Sequence, residues 1–383
     1  MSDHRITKFA IPEIIFGQGS IGYLAQCSRR LGAKRALLVT DQGLIDSGWA
    51  EHVMDILRED GLDFLLFDKV NSNPRDYQVH EGANLYIREK ADVIIALGGG
   101  SPMDTAKGVG TIVGNGGRIA DYEGANRIMR PLPPMIFIPT NAGSGSDISQ
   151  FCIITDVERQ VKMSIISRSL VPNVSIIDPA LLMTKGDQLV VSSAIDAMAH
   201  AIESYVSPLA SPFTENQALK AIELIAQNLQ PALENRTPEV MEQLSIASTA
   251  AGMSFSNAGL GIGHALAHSL GGIFDTLHGL VHPIVLPAVM RYNLPACPEK
   301  MCSIGRIIQG SPKTCTTSQG EGGIAQLEVL FARLDVPHRM RDIVPDASKL
   351  EQICQMAVHD ACMLTNPRKA GWEDLLAICR EAW

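Results

Sequence analysis

No Cys-x-x-Cys pair occurs among the eight cysteines at 27, 152, 297, 302, 315, 354, 362 and 379. Neither a thiolate zinc site nor a disulfide framework is indicated, and scattered thiols fit a reducing compartment. No stretch approaches the roughly 18 uninterrupted apolar residues of a membrane span. The first residues, Met1-Ser-Asp-His-Arg-Ile-Thr-Lys, lack the apolar core of a signal peptide. The expected location is therefore the cytoplasm. No basic run offsets the formal net charge of -9, so nucleic acid and anionic membranes are excluded as partners on charge. Internal repeats and low-complexity linkers are also lacking.

What is present is length and rhythm. At 383 residues, 46% of them apolar, the chain exceeds what one core normally organises and divides into two domains. Up to about residue 185, short β-branched runs alternate with amphipathic segments, the signature of a parallel sheet covered by helices. Arg35 to Asp41, Phe64 to Asp68, Val93 to Leu97 and Met135 to Pro139 are the expected strands. Helices are expected at Ser47 to Glu59, at Tyr77 to Glu89 and after Ser101. From residue 186 to 383 helical periods dominate, including Asn216 to Asn228, Val240 to Met253 and Ser348 to Met363. The expected fold class is an α/β, Rossmann-like domain (1–185) followed by an all-helical domain (186–383).

Five of the ten histidines, His200, His264, His268, His278 and His282, fall in apolar, Gly-rich sequence where an unpaired imidazole is costly. Asp196 and His200 stand four apart among good helix formers, so they share one helix face. His264 opens a short helix expected to stop near Gly271-Gly272, and His278 lies on the return path. Asp196, His200, His264 and His278 together form a mixed nitrogen and oxygen set. It suits Fe²⁺ or Zn²⁺ and poorly suits Ca²⁺ or Mg²⁺.

Gly98-Gly99-Gly100-Ser101-Pro102 follows an apolar strand and opens a helix, with proline early where its missing N–H is harmless. The glycines admit close backbone approach by a pyrophosphate, and the helix amino terminus favours that anion. The turn differs from the G-x-G-x-x-G fingerprint. A second Gly-rich turn, from Thr140 and Asn141 through Ser144 to Asp147, follows another strand, and two such turns frame a crevice. Asp41 closes the first expected strand. There it either accepts the ribose hydroxyls of NAD, repelling the 2′-phosphate of NADP, or merely caps the next helix.

The combination Gly-Gly-Gly-Ser-Pro-Met-Asp-x-Ala-Lys, Pro-Thr-x-Ala-Gly-x-Gly-Ser, Asp-Ala-x-x-His-Ala-Ile-Glu and His-Ala-x-x-His-x-Leu-Gly-Gly with a following His-Gly resembles the iron-containing, group III alcohol dehydrogenase family. The likeness runs from Phe16-Gly-Gln-Gly to the carboxyl terminus, and Asn366-Pro-Arg368 and Glu-Ala-Trp383 resemble its lactaldehyde (1,2-propanediol) reductase branch. The resemblance implies the dehydroquinate synthase-like fold of that family. It also implies that Asp196, His200, His264 and His278 hold one Fe²⁺ or Zn²⁺. Asp41, Gly98, Gly99, Gly100, Ser101, Asp104, Thr140, Asn141, Ser144 and Lys162 would hold the dinucleotide, with Asn73 near its adenine side. His268 matches a position beside the metal and is the candidate proton relay, or else orients a ligand.

The implied reaction is NAD-linked hydride transfer between a small alcohol and its aldehyde, by a homodimer joined near Ile11 to Phe16. Phe151, Phe255 and Leu260 are candidate pocket residues. Several positions depart from the family pattern: Asn141, Ser144, Asp147, Ser193-Ala194 and His282-Pro283. A small residue or asparagine is more typical at 282. Two other classes remain at this stage, a dehydroquinate synthase-like lyase and a non-catalytic nucleotide-binding accessory protein. The first calls for Lys and Arg around a polyanionic substrate, which the segments near the metal set lack; the second calls for a lost ligand, and none is lost.

Overall fold

The structure is a computed structural model that describes residues 8–274, 276, 278–310 and 317–383. Its strands are β1 (Glu13–Phe16), β2 (Arg35–Asp41), β3 (Asp63–Val70), β4 (Val93–Gly98), β5 (Gly124–Ala125), β6 (Met135–Pro139), β7 (Phe151–Asp156), β8 (Val161–Ile166) and β9 (Val174–Ile177). Helices α1 (Leu24–Arg30), α2 (Gln42–Asp46), α3 (Trp49–Glu59), α4 (Asp76–Arg88) and α5 (Gly100–Asn115) belong to the same half.

Six strands form one parallel sheet in the order β1-β9-β6-β4-β2-β3. Alternation along β2 shows why it is covered on both faces: Leu37 and Val39 enter one apolar cluster, Ala36 and Leu38 the other. Each of these buried leucines and the valine contributes roughly 1.5–3 kcal/mol over exposure. The chain leaves β2 for β3 on one side and returns to β4 on the other, so the winding direction changes between β2 and β4. A crevice opens at the carboxyl ends of strands flanking such a switch, here at Asp41 and Gly98.

A small second sheet, β5-β8-β7, pairs β7 and β8 antiparallel from Phe151↔Ile166 to Asp156↔Val161. Neither ribbon strand was among the expected strands. Both carry apolar residues at every second position, with Cys152, Ile154, Met163 and Ile165 buried, and they pack on α5 and α9.

Every later named element is a helix. They are α6 (Asp187–Val206), α7 (Pro212–Glu234), α8 (Pro238–Ala258), α9 (Ile262–Phe274), α10 (His282–Asn293), α11 (Pro298–Ile308), α12 (Thr317–Ala332), α13 (Lys349–Ala357) and α14 (Trp372–Glu381), with short 3-10 turns between. All residues of α6 from Val190 to Val206 are buried, the mark of a central helix packed on all sides. The expected helix at Ser348 to Met363 breaks instead after Ala357, and Asp360 caps a separate 3-10 turn, Ala361–Thr365.

Helix α9 ends at Phe274, near the Gly271-Gly272 step as expected from the sequence. Those glycines serve a second purpose. A Cβ on Gly271 would stand 2.6 Å from Lys162 Nζ, and one on Gly272 3.2 Å from the Gln160 carbonyl, so they let α9 lie against the ribbon. Cys302 is disulfide-bonded, while Cys27, Cys152, Cys297, Cys354, Cys362 and Cys379 are free. No helix among the described residues is long and apolar enough to cross a membrane.

Candidate metal centre and dinucleotide cleft

Helix α6 carries Asp196, His200 and Glu203, α9 carries His264 and His268, and His278 and His282 follow on the next turn and helix. Asp196 Oδ1 is the hub. It lies 3.1 Å from His282 Nε2, 3.6 Å from His264 Nε2, 3.6 Å from His278 Nε2 and 4.0 Å from His200 Nε2. Among the described residues, Asp196, His264, His278 and His282 form a group whose donor atoms all lie within 4.8 Å of one another. His200 stands at the side, its ring stacked between His264 (4.4 Å) and Phe255 (4.1 Å).

Three partners that sequence reading passed over hold this arrangement. Glu203 Oε2 is 2.5 Å from His264 Nδ1, and the carboxylate also accepts from the backbone N–H of Gly261 (3.1 Å) and Gly263 (2.6 Å). It fixes the ring so that Nε2 faces the hub. A spacing of seven from Asp196 on one helix was the available signal. His268 Nδ1 is 2.8 Å from Asp360 Oδ2. That pairing had no local signal, because 92 residues separate the two. His282 is the third; its spacing of four from His278 was legible, but its proximity to Asp196 was not.

The side chains fit a divalent ion. Asp196 Oδ1, His200 Nδ1, His264 Nε2 and both ring nitrogens of His282 are buried without a hydrogen-bond partner, a state that costs free energy unless something else satisfies it. Burial opposes ionising Asp196, but His200 and His278, then His264 and His282, outweigh it and hold its carboxyl well below the usual range. Burial drives His200 down to about 3 and His278 well below the ordinary imidazole value, against the pull of Asp196. Burial, reinforced by His264, also lowers His282. These imidazoles are therefore neutral, the form that ligates. At His264 burial is outweighed by Glu203 and Asp196, which raise it to about 9, so in the metal-free chain it holds a proton that an ion would displace.

Across the cleft, the two Gly-rich turns leave adjacent strands β4 and β6 and touch. Gly98 has φ +152, and a Cβ there would meet Pro102 Cγ at 2.6 Å. Cβ atoms on Gly99 and Gly100 would meet Asn141 Nδ2 at 2.8 Å and Ser144 Cβ at 3.2 Å, so both glycines keep the turns in contact. The Thr140 N–H donates to the Gly98 carbonyl at 2.9 Å.

Asp104 and Lys107, from the same motif, face inward. Asp104 accepts from Ser146 Oγ at 2.5 Å and Ile153 N–H at 3.1 Å; Lys107 Nζ donates to the carbonyls of Ser149 (2.8 Å) and Phe151 (2.6 Å). Burial raises the Asp104 pKa, with Lys107 the main opposing influence. Lys162 Nζ donates to Asn73 Oδ1 at 2.7 Å, and Asn73 holds φ +55. Asp41 caps α2, its Oδ1 accepting from the Leu44 N–H at 3.1 Å. Asn73, Gly100, Ser101, Asp104, Asn141, Ser144 and Lys162 line one cleft with Asp196, His200, His264, His268 and His278. Phe151, Phe255 and Leu260 line it too.

Fold and site together define a two-part oxidoreductase scaffold, and comparison with known proteins places it. Residues 12–179 match the family model described as iron-containing alcohol dehydrogenase, and residues 190–383 that of the Fe-containing alcohol dehydrogenase family, C-terminal. The chain belongs to the iron-containing alcohol dehydrogenase family. It is 37% identical to a 1,3-propanediol dehydrogenase of Klebsiella pneumoniae, over 99% of this chain and 100% of the relative. It is 34% identical to a lactaldehyde reductase of Escherichia coli, over 96% and 97%. The crystal structure of a 1,3-propanediol oxidoreductase superposes with a TM-score of 0.95 at 37% identity, covering 99% of this chain and 100% of that one. The class of chemistry follows: a metal-dependent alcohol dehydrogenase linked to NAD.

Proposed function

We propose that the chain interconverts a small alcohol and its aldehyde by hydride transfer to and from the nicotinamide of NAD(H). The substrate class is short diols, hydroxyaldehydes or short aldehydes carrying an anionic group. The observation that carries this reading is the orphaned donor cluster at Asp196, in the same cleft as the Gly98 turn. Asp196, His200, His264 and His278 are assigned as ligands of Fe²⁺, with Zn²⁺ as the second ion the donor set tolerates. The division is 1–185 for the nucleotide half and 186–383 for the metal half. A cytoplasmic homodimer completes the proposal.

When bound, the ion supplies Lewis acidity that eases loss of a proton from the substrate hydroxyl, and the dinucleotide takes or returns the hydride. The chain's own residues prepare that event. The N–H groups of Gly99 to Ser101, at the start of α5, bind the pyrophosphate. Asp41 accepts the ribose hydroxyls, while Asn73, Thr140, Asn141, Ser144 and Lys162 position the remainder. Asp104 acts by tying the second turn and β7 to α5. His268, oriented at Nδ1 by Asp360, passes the proton through its other nitrogen. Phe255, stacked on His200, excludes water beside the cluster.

The test is NADH absorbance at 340 nm with iron-loaded chain and a panel of short aldehydes. Steady oxidation is expected, with His264→Ala inactive and metal-poor yet binding NADH as the parent does. Tight NAD binding without turnover of any aldehyde would reject the reading.

A further inference from the structure

We propose that His282 is a fifth ligand of the metal ion, so that one carboxylate and four imidazoles grip it. The inference goes beyond the four-ligand set above and rests on the metal reading itself. Its warrant is the company His282 keeps. The side chain is fully buried, neither ring nitrogen has a hydrogen-bond partner, and Nε2 is the nitrogen nearest the hub, at 3.1 Å from Asp196 Oδ1. A buried imidazole in that state carries the desolvation cost of two polar atoms with no return. A cation beside Nε2 supplies the return.

The spacings agree. Donors about 2.1 Å from one ion stand about 3.0 Å apart at a right angle, about 3.4 Å at the tetrahedral angle and about 4.2 Å when opposed. His282 therefore sits a right angle from Asp196, His264 and His278 slightly beyond the tetrahedral separation, and His200, at 4.0 Å, wider still. His282 stands inside the compact group with Asp196, His264 and His278, whose donor atoms all lie within 4.8 Å of one another, whereas His200 lies outside that group and completes the five when its ring moves toward the ion. Its ring lies 4.4 Å from that of His264 and 5.1 Å from that of His278, inside the cluster rather than behind it.

Local structure aims the side chain. His282 begins α10, with Pro283 at the start of the helix, and this position directs the ring toward Asp196. Five protein donors exceed the closed tetrahedron preferred by zinc and suit an ion that takes five or six.

The experiment uses Co²⁺ as the probe, bound to metal-stripped full-length chain, with visible absorption and chelator competition as readouts. The parent should show the weak bands of five or more donors. His282→Asn should give the stronger bands of a lower-coordinate ion and at least about a 10-fold loss of affinity. Identical bands and affinities in the two would overturn the proposal. If His282→Asn does not fold, as judged by NADH binding and circular dichroism, anomalous diffraction from the cobalt-loaded parent decides. Density within bonding distance of His282 Nε2 upholds the proposal, and a ring standing off the ion overturns it. Absence of Co²⁺ uptake by the parent, or undiminished uptake by His264→Ala, would instead refute the metal reading beneath it.

Discussion

At the residue scale, side chains of one type do different work because their surroundings differ. Asp41 and Asp360 show this. Asp41 caps α2 and shares its locality with Lys185, whose pKa burial lowers and Asp41 partly restores. Removing Asp41 takes away the charge that repels a 2′-phosphate and leaves the lysine to receive it. Asp41→Gly is expected to raise kcat/KM with NADPH relative to NADH by about 10-fold or more, a change of about 1.4 kcal/mol; an unaltered ratio leaves Asp41 as a helix cap only.

Asp360 also caps a turn, its Oδ1 accepting from the Cys362 N–H at 2.8 Å, but its Oδ2 answers to an imidazole. Burial disfavours its charge, but His268 outweighs burial and holds it at about 2, against the ordinary 3.8. A carboxyl depressed in the folded state stabilises above its unfolded pKa and loses that contribution as pH falls through the folded one, a total of about 2 kcal/mol. In urea unfolding of metal-free protein, the deficit of Asp360→Asn relative to the parent should therefore shrink by about 1 kcal/mol between pH 6 and pH 3. A deficit independent of pH would remove the ion pair from the account.

At the scale of elements, the cleft depends on contacts too close for any side chain. Gly143, in the second Gly-rich turn, meets α6 so closely that a Cβ would stand 2.6 Å from both Cα and the carbonyl oxygen of Ser193. Backbone offers no flexible end to move aside. Gly143→Ala should cost about 1–3 kcal/mol in stability. Because the same turn lines the nucleotide cleft and α6 carries Asp196, it should also raise the KM for NADH and lower kcat. Calorimetry and steady-state kinetics read both, and a variant with normal stability and kinetics would show that the two elements separate freely.

At the scale of the whole molecule, β1 ends the parallel sheet, paired on one side to β9 from Glu13↔Val174 to Phe16↔Ile177. An edge strand presents unpaired backbone groups that favour pairing with another chain. Ile11 and Phe16 are more than one third exposed beside it. With the proposed dimer joined there, Ile14→Lys should shift sedimentation from dimer to monomer with NADH binding retained. A dimer that survives the lysine would have its interface elsewhere.

Much of this was written locally. The apolar run Met135 to Pro139 became β6 without change of bounds, and Asp196 and His200 share α6 as their spacing of four required, because strand and helix periods operate within a few residues. The glycines at 98–100 announced a close approach of backbone. What local chemistry left open was which groups converge from distant positions. That Glu203 and Asp360 orient His264 and His268, and that His282 rather than His200 lies nearest Asp196, are results of packing α6, α9 and α10 against one another and α9 against β8. Periodicity assigns a side chain to a face of its own element; only the burial of those faces against one another determines which side chains share a centre.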